Sequence, residues 1–537
     1  MGELADGRKV FAWGALPGET ADIQETKRKS RYCEGIAVAI EQESSERVVP
    51  RDPDSYLSTS PWQIMTSEAE QHYKAALIEE AFELHDIVLP EVIDVYTDGR
   101  EYEYRNKIEY SWWWDNERDR LDLAFFRRGT HGKIPVEGTS LARTEISEAA
   151  LRIRDVLRTR GTSAYDLKTL LVRCNNDGQV AAQLYVKERE FTPLTDAEIT
   201  AMDIVGFELI YSNPKSPASV ITERLQQWGV VALTDTILGV PFTYATEGFF
   251  QINLPVYEQA LKDMEKWVEY DHPPASSPTS FQRDRFTPVS LSVSAESETG
   301  CSSLVVSSEG VGERLDSGEV VDSTPARVAS VAASDDRSEV CQAASEEMAA
   351  VQDGGQDPRI SDLRADFLRE TSSYGNSDDE QSAKTPVKAG RSDHETHSKV
   401  IDLYSGVGSI GLTIGGGNVT LIESNEHAVR EMERNIVALG RNESAQAVLA
   451  PSEKALDYIT SDAMIIVDPP RAGLHEDVVG RLLDVQPERI IYLSCNPVTQ
   501  ARDVARLAEG YGIRAHRGYN FFPRTPHIEH LVVLDKK

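Results

Sequence analysis

Short apolar runs alternate with helical segments throughout residues 399–537 of the chain. The runs lie at residues 400–403, 419–422, 464–467 and 490–493, and each is mostly apolar. Runs of this length without regular polar alternation are typical of strands that are buried in a parallel sheet between helices. The pattern therefore predicts an α/β domain with a doubly wound, Rossmann-like parallel sheet. In such a sheet, ligands bind at the carboxyl ends of the strands.

A glycine-rich loop follows the first of these strands. Residues 402–411 read Asp-Leu-Tyr-Ser-Gly-Val-Gly-Ser-Ile-Gly, and Gly406, Gly408 and Gly411 match the dinucleotide-binding fingerprint. The same loop can hold the amino-acid end of S-adenosylmethionine. Glu423 ends the next strand and suits hydrogen bonds to ribose hydroxyls in either case. The loop alone therefore leaves nicotinamide and S-adenosylmethionine as alternatives.

A solitary cysteine follows another strand, in the sequence Leu-Ser-Cys-Asn-Pro at residues 493–497. Nicotinamide enzymes have no general need of this cysteine, whereas methylation of a pyrimidine carbon does. Carbon 5 of uracil is a poor nucleophile until a thiolate adds to carbon 6, and a base must then remove the carbon 5 proton. Cys495 is thus the candidate nucleophile. A buried cysteine without a role is the alternative interpretation.

The base would come from the tail of the chain. Residues 521–531 read Phe-Phe-Pro-Arg-Thr-Pro-His-Ile-Glu-His-Leu and precede the last predicted strand, at residues 531–534. Glu529 is the candidate base. His527 and His530 compete for this role because imidazole titrates near neutral pH, and the residues alone rank them level.

Taken together, these motifs resemble the RNA uracil-5-methyltransferase family, which forms 5-methyluridine in transfer and ribosomal RNA. The motifs are Asp-x-Tyr-x-Gly-x-Gly at 402–408, Asp-Pro-Pro-Arg at 468–471, Ser-Cys-Asn-Pro at 494–497, Phe-Pro-x-Thr-x-His-x-Glu at 522–529, Tyr-Arg-Asn-Lys at 104–107 and Phe-Phe-Gln-Ile-Asn at 249–253. The resemblance implies that Cys495 is the nucleophile and Glu529 the proton acceptor. It implies S-adenosylmethionine as the cofactor, in a pocket lined by Gln251, Tyr404, Glu423 and Asp468. The wide spacing of the cysteines predicts neither a metal nor an iron–sulfur cluster.

The resemblance also implies an RNA (uracil-5-)-methyltransferase that works through a covalent bond between Cys495 and carbon 6. Ribosomal RNA is favoured over transfer RNA as the substrate, and the target uridine is expected in a loop or flipped out of a helix. A methyltransferase that acts on an exocyclic amine would not need Cys495. An RNA assembly factor with incidental catalysis and a nicotinamide oxidoreductase are the remaining alternatives.

The amino-terminal sequence predicts two further domains. Residues 1–48 are expected to form a small RNA-binding β-barrel, similar to a TRAM domain but short at its start, with a hairpin at residues 9–23 around a Pro-Gly turn. Residues 60–272 predict a mixed α+β middle domain that ends in a helix leading to the methyltransferase domain at 399–537. This middle domain has a helix at 68–84, strands at 105–111, 121–127, 170–174 and 180–186, and a final helix at 256–268. Cys174 is expected to pack in its core.

Residues 273–398 separate the middle and catalytic domains and are rich in serine and acidic residues. The segment carries 23 acidic and 11 basic residues, and this composition predicts a disordered insert. Cys301 and Cys341 lie in it and are not expected to act in chemistry. The five cysteines of the chain are far apart, which argues against a disulfide framework or a zinc site.

The net charge of the chain is −32, so bulk electrostatic attraction cannot hold RNA, and any contact must be local. The candidates for RNA contact are the basic run 27–31, Arg105, Lys107, Arg127, Arg128 and Lys133, with Trp112, Trp113 or Trp114 for base stacking and one of these tryptophans in the core. The sequence has neither a signal peptide nor an apolar run of membrane-spanning length. We therefore expect a cytoplasmic protein without a membrane partner, and a monomer.

Overall fold

The computed structural model describes residues 2–3, 9–29, 32–130, 132–268, 290–294, 302–307 and 399–537. The strands in these residues are β1 Gly2–Glu3, β2 Lys9–Trp13, β3 Thr20–Arg28, β4 Tyr32–Gln42, β5 Val95–Tyr96, β6 Lys107–Asp115, β7 Arg120–Phe126, β8 Lys133–Val136, β9 Leu167–Cys174, β10 Val180–Val186, β11 Gly206–Tyr211, β12 Glu223–Gly229, β13 Ala232–Ile237, β14 Val240–Ala245, β15 Ser290–Ser294, β16 Ser302–Ser307, β17 Lys399–Leu403, β18 Val419–Glu423, β19 Ala445–Leu449, β20 Ala463–Val467, β21 Arg489–Ser494, β22 Tyr511–Tyr519 and β23 Glu529–Lys536. The α-helices are α1 Tyr56–Thr59, α2 Ser67–Glu83, α3 Thr144–Thr159, α4 Asp196–Thr200, α5 Leu254–Val268, α6 Ser409–Ile414, α7 Glu426–Ala438, α8 Glu476–Val485 and α9 Pro497–Leu507.

The amino-terminal strands belong to a sheet with the order β1-β2-β4-β3-β16-β15. The predicted hairpin at residues 9–23 is wrong in its pairing, because β4 lies between β2 and β3. The predicted Pro-Gly turn is present, because the Glu19 N–H donates to the Leu16 carbonyl oxygen at 3.2 Å, but the strands on its two sides do not pair with each other. The buried carboxylate of Glu19 accepts the Leu16 N–H at 2.7 Å and pairs with Arg47 at 2.5 Å, which stabilises this turn.

Two strands of the same sheet come from the acidic insert. β16 pairs antiparallel with β3, from Ser302 opposite Ile23 to Val305 opposite Thr20, and β15 pairs with β16. The predicted disorder of residues 273–398 therefore does not describe these two strands, whose backbones find partners on the edge of β3. The rest of the insert, with Cys301 and Cys341, lies outside the described residues, as do Ser30 and Arg31.

A seven-stranded sheet with the order β12-β11-β10-β9-β6-β7-β8 forms the middle of the molecule. Helix α3 covers one face with a buried apolar stripe that includes Ile146, Ile153 and Leu157. Trp112 is buried in this core and Trp113 is 36% exposed, so the expectation of one core tryptophan is confirmed. Cys174 is fully buried in the same core, also as predicted.

The catalytic sheet has the order β19-β18-β17-β20-β21-β23-β22-β5. Its first five strands are parallel, but β23 runs antiparallel to both β21 and β22, which corrects the prediction of a parallel sheet. A single loop joins β22 to β23, and neighbouring strands joined in this way must be antiparallel. Strand β23 therefore begins at the edge where the parallel strands end.

The middle and catalytic regions share buried contacts. β5 joins the edge of the catalytic sheet beside β22, and Ile78 and Phe82 of α2 belong to one of its two apolar cores. Tyr257 of α5 packs in the other core, edge-to-face against Phe521. None of the helices in the described part of the chain is long and apolar enough to cross a bilayer.

Candidate active site

The carboxyl edge of the catalytic sheet brings four predicted site residues together. Tyr404, Asp468 and Cys495 directly follow β17, β20 and β21, and Glu529 is the first residue of β23. Ser494 is the register partner of His530, so Cys495 and Glu529 occupy opposing positions just beyond this pair. Paired strands lie about 4.8 Å apart. The backbones of the two candidate catalytic residues are therefore neighbours.

The glycine loop is folded around two carboxylates. The Gly411 N–H donates to Asp402 Oδ2 at 2.9 Å, and the Gly406 N–H donates to Glu423 Oε2 at 3.0 Å. A Cβ on Gly411 would lie 2.5 Å from Leu421, so only glycine fits there. Asp402 is fully buried, and its carboxylate stabilises the loop. Burial raises the pKa of Asp402 to about 8.

Gln251, the predicted cofactor contact from the middle region, lies just before helix α5. Its carbonyl oxygen accepts a hydrogen bond from Asn106 Nδ2 at 2.9 Å, and the preceding Phe250 stacks on Tyr244 with ring centroids 4.0 Å apart. Helix α5 begins three residues later and contacts the glycine loop through Tyr257, whose hydroxyl lies 2.7 Å from Ser409 Oγ. These contacts place helix α5, which follows Gln251, against the glycine loop that carries Tyr404.

Acidic groups dominate the electrostatics of this edge. Glu529 is buried, and its pKa is raised by desolvation and by the nearby charge of Asp468. Burial also raises the pKa of Asp468. The pKa of the Cys495 thiol is raised by burial and then by the charges of Glu529 and Asp468. We call Asp468, Cys495 and Glu529 the catalytic edge, and each of these groups is held toward its protonated form.

Arg471 opposes these shifts. Its positive charge lowers the pKa of both Cys495 and Glu529, and its Nη2 donates to His527 Nδ1 at 3.0 Å. Burial and the surrounding cations lower the pKa of His527 to about 3, so this imidazole is neutral and weakly basic near neutral pH. Arg471 therefore pairs with a neutral histidine and leaves its field available to the two candidate catalytic groups.

His530, the other histidine alternative, lies in the core. It is fully buried, contacts Phe82 edge-to-face, and its Nδ1 lies 2.8 Å from Gln500 Oε1. Adjacent residues of a strand point to opposite faces of the sheet, so His530 and Glu529 face different sides. The packing of His530 favours Glu529 over this histidine as the base.

The two loops that carry Asp468 and Cys495 are tied to each other. Asn496 Nδ2 and Thr499 Oγ1 both donate to the Arg471 carbonyl oxygen, at 2.9 and 3.0 Å. Asn496 also caps α9, because its side chain accepts the Val498 N–H. The buried Asp503 accepts the Leu474 N–H at 2.7 Å. Helix α9 therefore fixes both loops at once.

The candidate RNA-binding residues have different surroundings. Arg128 stacks on the Trp13 ring at 4.1 Å and donates to the Leu57 carbonyl, so it joins the amino-terminal sheet to the middle region. Lys133 Nζ donates to the Trp112 carbonyl at 2.9 Å. Arg127 is exposed next to the exposed Phe126. Desolvation and the nearby Arg173 lower the pKa of the half-buried Lys107 to about 8.

Sequence reasoning missed several residues that shape the site. Arg471 lies inside a recognised motif, and its effect on neighbouring pKa values follows only from the three-dimensional arrangement. Phe249 is 70% exposed beside Gln251, although its sequence suggests an ordinary core aromatic. Glu70 and Lys74 contact the loop before Glu529, yet their spacing of four residues in a helix is typical of a solvated surface.

Known proteins resemble the carboxyl-terminal part of this chain and, at lower identity, its whole length. Residues 453–537 match the family model of tRNA (Uracil-5-)-methyltransferase. An uncharacterised RNA methyltransferase of Enterococcus faecalis is 24% identical over 99% of this chain and 93% of its own length. The tRNA (uracil(54)-C(5))-methyltransferase of Pyrococcus abyssi is 42% identical over 133 residues, which are 24% of this chain and 31% of that protein.

A solved structure shares the fold over the whole chain. The crystal structure of Pyrococcus abyssi tRNA (uracil-54, C5)-methyltransferase in complex with S-adenosyl-L-homocysteine matches with a TM-score of 0.63 and 18% identity, and it covers 99% of each chain. The residues that the family model matches include Asp468, Cys495 and Glu529. Residues 453–537 are therefore similar to RNA uracil-5-methyltransferases, and the fold of nearly the whole chain is shared with the solved structure.

Proposed function

We propose that this protein transfers a methyl group from S-adenosylmethionine to carbon 5 of a uridine in RNA and so forms 5-methyluridine. The observation that carries the proposal is the opposing placement of Cys495, which follows the last residue of β21, and Glu529, which is the first residue of β23. The chemistry needs a nucleophile at carbon 6 and a base at the adjacent carbon 5 of one ring. Two side chains on neighbouring strands suit two neighbouring atoms of the substrate.

The residues at the catalytic edge fit the cofactor. A Cβ at Gly406 would meet no atom within 4 Å, so the glycine loop has open space there for the amino-acid part of S-adenosylmethionine, and Glu423 beside the loop suits its ribose. Gln251, Tyr404 and Asp468 are proposed to line the same pocket. When bound, S-adenosylmethionine supplies an electrophilic methyl group on a positively charged sulfur. A cation at this acidic edge would favour the ionised forms of Asp468, Glu529 and Cys495 and so lower their raised pKa values.

Cys495 acts in the first step of the proposed reaction and Glu529 in the last. The Cys495 thiolate adds to carbon 6, and the electron pair of the carbon 5–carbon 6 double bond moves to carbon 5, which then accepts the methyl group. The carboxylate of Glu529 next takes the proton from carbon 5. The electrons of that carbon–hydrogen bond restore the double bond, and the carbon 6–sulfur bond breaks to release the thiolate. The raised pKa of Glu529 suits it to hold this proton.

The proposed substrate is a uridine that is flipped out of its stack. The sequence favours ribosomal RNA, whereas the relatives with a named substrate are described as tRNA uracil-54 enzymes. We therefore take transfer RNA as the first substrate and ribosomal RNA as the second. Arg105 and Lys107 precede and begin β6 near Gln251, and they are the proposed phosphate contacts closest to the site.

Methyl transfer to defined RNAs tests the proposal. The purified protein is incubated with S-adenosylmethionine and either unmodified tRNA or ribosomal RNA, and nucleosides are analysed by mass spectrometry. We expect 5-methyluridine with the wild-type protein and none with Cys495→Ala. Full methyl transfer by Cys495→Ala would contradict the mechanism and favour an amine methyltransferase. S-adenosylmethionine, but not NAD, should raise the melting temperature.

A further inference from the structure

The loop that precedes Glu529 is held by buried charged residues from a distant part of the chain. We propose that Glu70 and Lys74 of α2 are positioning residues, which fix this loop so that Glu529 reaches the carbon 5 proton of the substrate. The inference rests on the proposed function and adds a role for a helix outside the catalytic domain. We call Glu70, Lys74, Asn520 and Arg524 the α2 anchor.

Lys74 contributes two hydrogen bonds to the loop. Its ammonium group is completely buried, and it donates to Asn520 Oδ1 at 2.6 Å and to the Phe522 carbonyl oxygen at 3.1 Å. It also forms an ion pair with Glu70 at 2.8 Å. The three bonds use all three donors of the lysine, so its position is fully determined.

The carboxylate of Glu70 accepts hydrogen bonds from the same loop. Its two carboxylate oxygens each lie 3.0 Å from the Arg524 backbone nitrogen, and Oε1 accepts Asn520 Nδ2 at 2.9 Å. Arg524 has a φ of 65°, a left-handed conformation that is unfavourable for a residue with a side chain. The carboxylate of Glu70 therefore stabilises a backbone conformation that the loop would otherwise avoid.

Two aromatic residues complete the restraint. The Tyr104 hydroxyl donates to the Pro523 carbonyl oxygen at 2.9 Å, and the backbone N–H of Trp62 donates to the Arg524 carbonyl oxygen at 3.1 Å. The backbone is thus bonded to the amino-terminal half of the molecule at three consecutive residues. Thr525 Oγ1 then donates to the Phe522 carbonyl at 2.7 Å and accepts the His527 N–H at 3.3 Å. These bonds carry the restraint almost to Glu529.

The anchor is an expensive way to hold a loop if stability were its only purpose. Taking a carboxylate and an ammonium group out of water carries a large desolvation penalty, and an apolar pair of similar volume is often as stable. The two charged groups provide directional hydrogen bonds, because each bond fixes the position of one atom of the loop. Catalysis needs this, since a misplacement of about 1 Å at a reacting group can reduce the rate about a hundredfold.

Removal of the carbon 5 proton is the step that depends on Glu529. Addition of Cys495 and methyl transfer precede it, so a displaced Glu529 should leave methylated RNA bound to the protein through the carbon 6–sulfur bond. An RNA with 5-fluorouridine at the target provides a separate measurement. Fluorine replaces the proton that must leave, so this RNA forms the covalent adduct without any need for Glu529.

The test compares the double variant Glu70→Gln/Lys74→Met with wild type and with Glu79→Gln, a change at an exposed position of α2. Removing both charges avoids leaving one ion buried and alone. We expect kcat on natural RNA to fall about a hundredfold with KM unchanged, and the methylated adduct to accumulate on denaturing gels. Adduct formation with 5-fluorouridine RNA should proceed at the wild-type rate. Glu79→Gln should behave as wild type.

Three results would contradict either the positioning role of the α2 anchor or the proposed function. Equal loss of turnover and of 5-fluorouridine adduct would mean that the anchor is only structural, and unchanged turnover would mean that it has no role. The single variant Lys74→Arg retains a cation that can donate to the loop, so its kcat should be higher than that of the double variant. Absence of any 5-fluorouridine adduct with the wild-type protein would instead overturn the proposed function.

Discussion

The catalytic edge and the α2 anchor both contain a buried glutamate, but the two carboxylates have opposite surroundings. Glu70 is paired with Lys74 and accepts hydrogen bonds from Asn520 and from the Arg524 backbone. Among the described residues, nothing donates a hydrogen bond to the Glu529 carboxylate, whose pKa is raised by burial and by Asp468. Partners offset the cost of burying a charge at Glu70, whereas that cost remains at Glu529. The ion pair and hydrogen bonds of Glu70 hold the loop in one conformation. The Glu529 carboxylate has no such partners in the described part of the chain, so it can accept and release a proton.

The largest effect that this comparison predicts is on turnover. Glu529→Gln should reduce kcat about a thousandfold because the amide cannot accept the carbon 5 proton. The same change removes a carboxyl group whose buried charge has no partner, so the melting temperature should not fall. Steady-state kinetics and thermal unfolding of the same preparation measure both effects. A stable variant with normal kcat would show that another group is the base.

The next largest effect is on stability. Glu70→Gln leaves the Lys74 ammonium buried without its counter-ion, and breaking such a pair costs about 3–5 kcal/mol. Urea denaturation should therefore show a lower free energy of unfolding for Glu70→Gln than for Glu529→Gln. Glu79→Gln is the matched control on the exposed face of α2. If both buried glutamates tolerated the change equally, the contrast between the two regions would be lost.

The smallest effect is a displacement of the pH profile. Arg471 lowers the pKa of Cys495 and of Glu529, and both groups must be deprotonated to act. Arg471→Gln should raise both pKa values, so the rising limb of kcat against pH should move to higher pH. Arg506→Gln, on the exposed side of α9, should leave the profile in place. A shift to lower pH would contradict the role assigned to Arg471.

Much of the catalytic edge could be predicted from the sequence because parallel strands obey a topological rule. Asp468 and Cys495 follow apolar runs, and the carboxyl ends of such strands meet at one edge whatever the details of packing. Glu529 could be placed there by its motif, although the antiparallel direction of β23 was not foreseen. These motifs could be recognised because each one spans only a few residues at the end of a strand.

The α2 anchor could not be predicted in the same way. Lys74 and Asn520 are 446 residues apart in sequence, and no local pattern encodes their contact. The spacing of Glu70 and Lys74 has an ordinary interpretation as a surface ion pair, which burial alone overturns. The pairing of β2 with β4 was missed for a similar reason, because it joins residues that are not neighbours across a local turn, such as Lys9 and Tyr32.

The position of the insert has a consequence for how the molecule is held together. The insert begins after α5 and ends before β17, so the peptide link from the amino-terminal half to the catalytic sheet runs through it. The contacts of Tyr257 with Phe521 and of Lys74 with Phe522 join the same two halves without using that link. An engineered protease site between residues 308 and 398 should therefore yield two polypeptides that remain one particle and keep their methyl-transfer activity. In this protein, the active site is assembled like a subunit interface within a single chain.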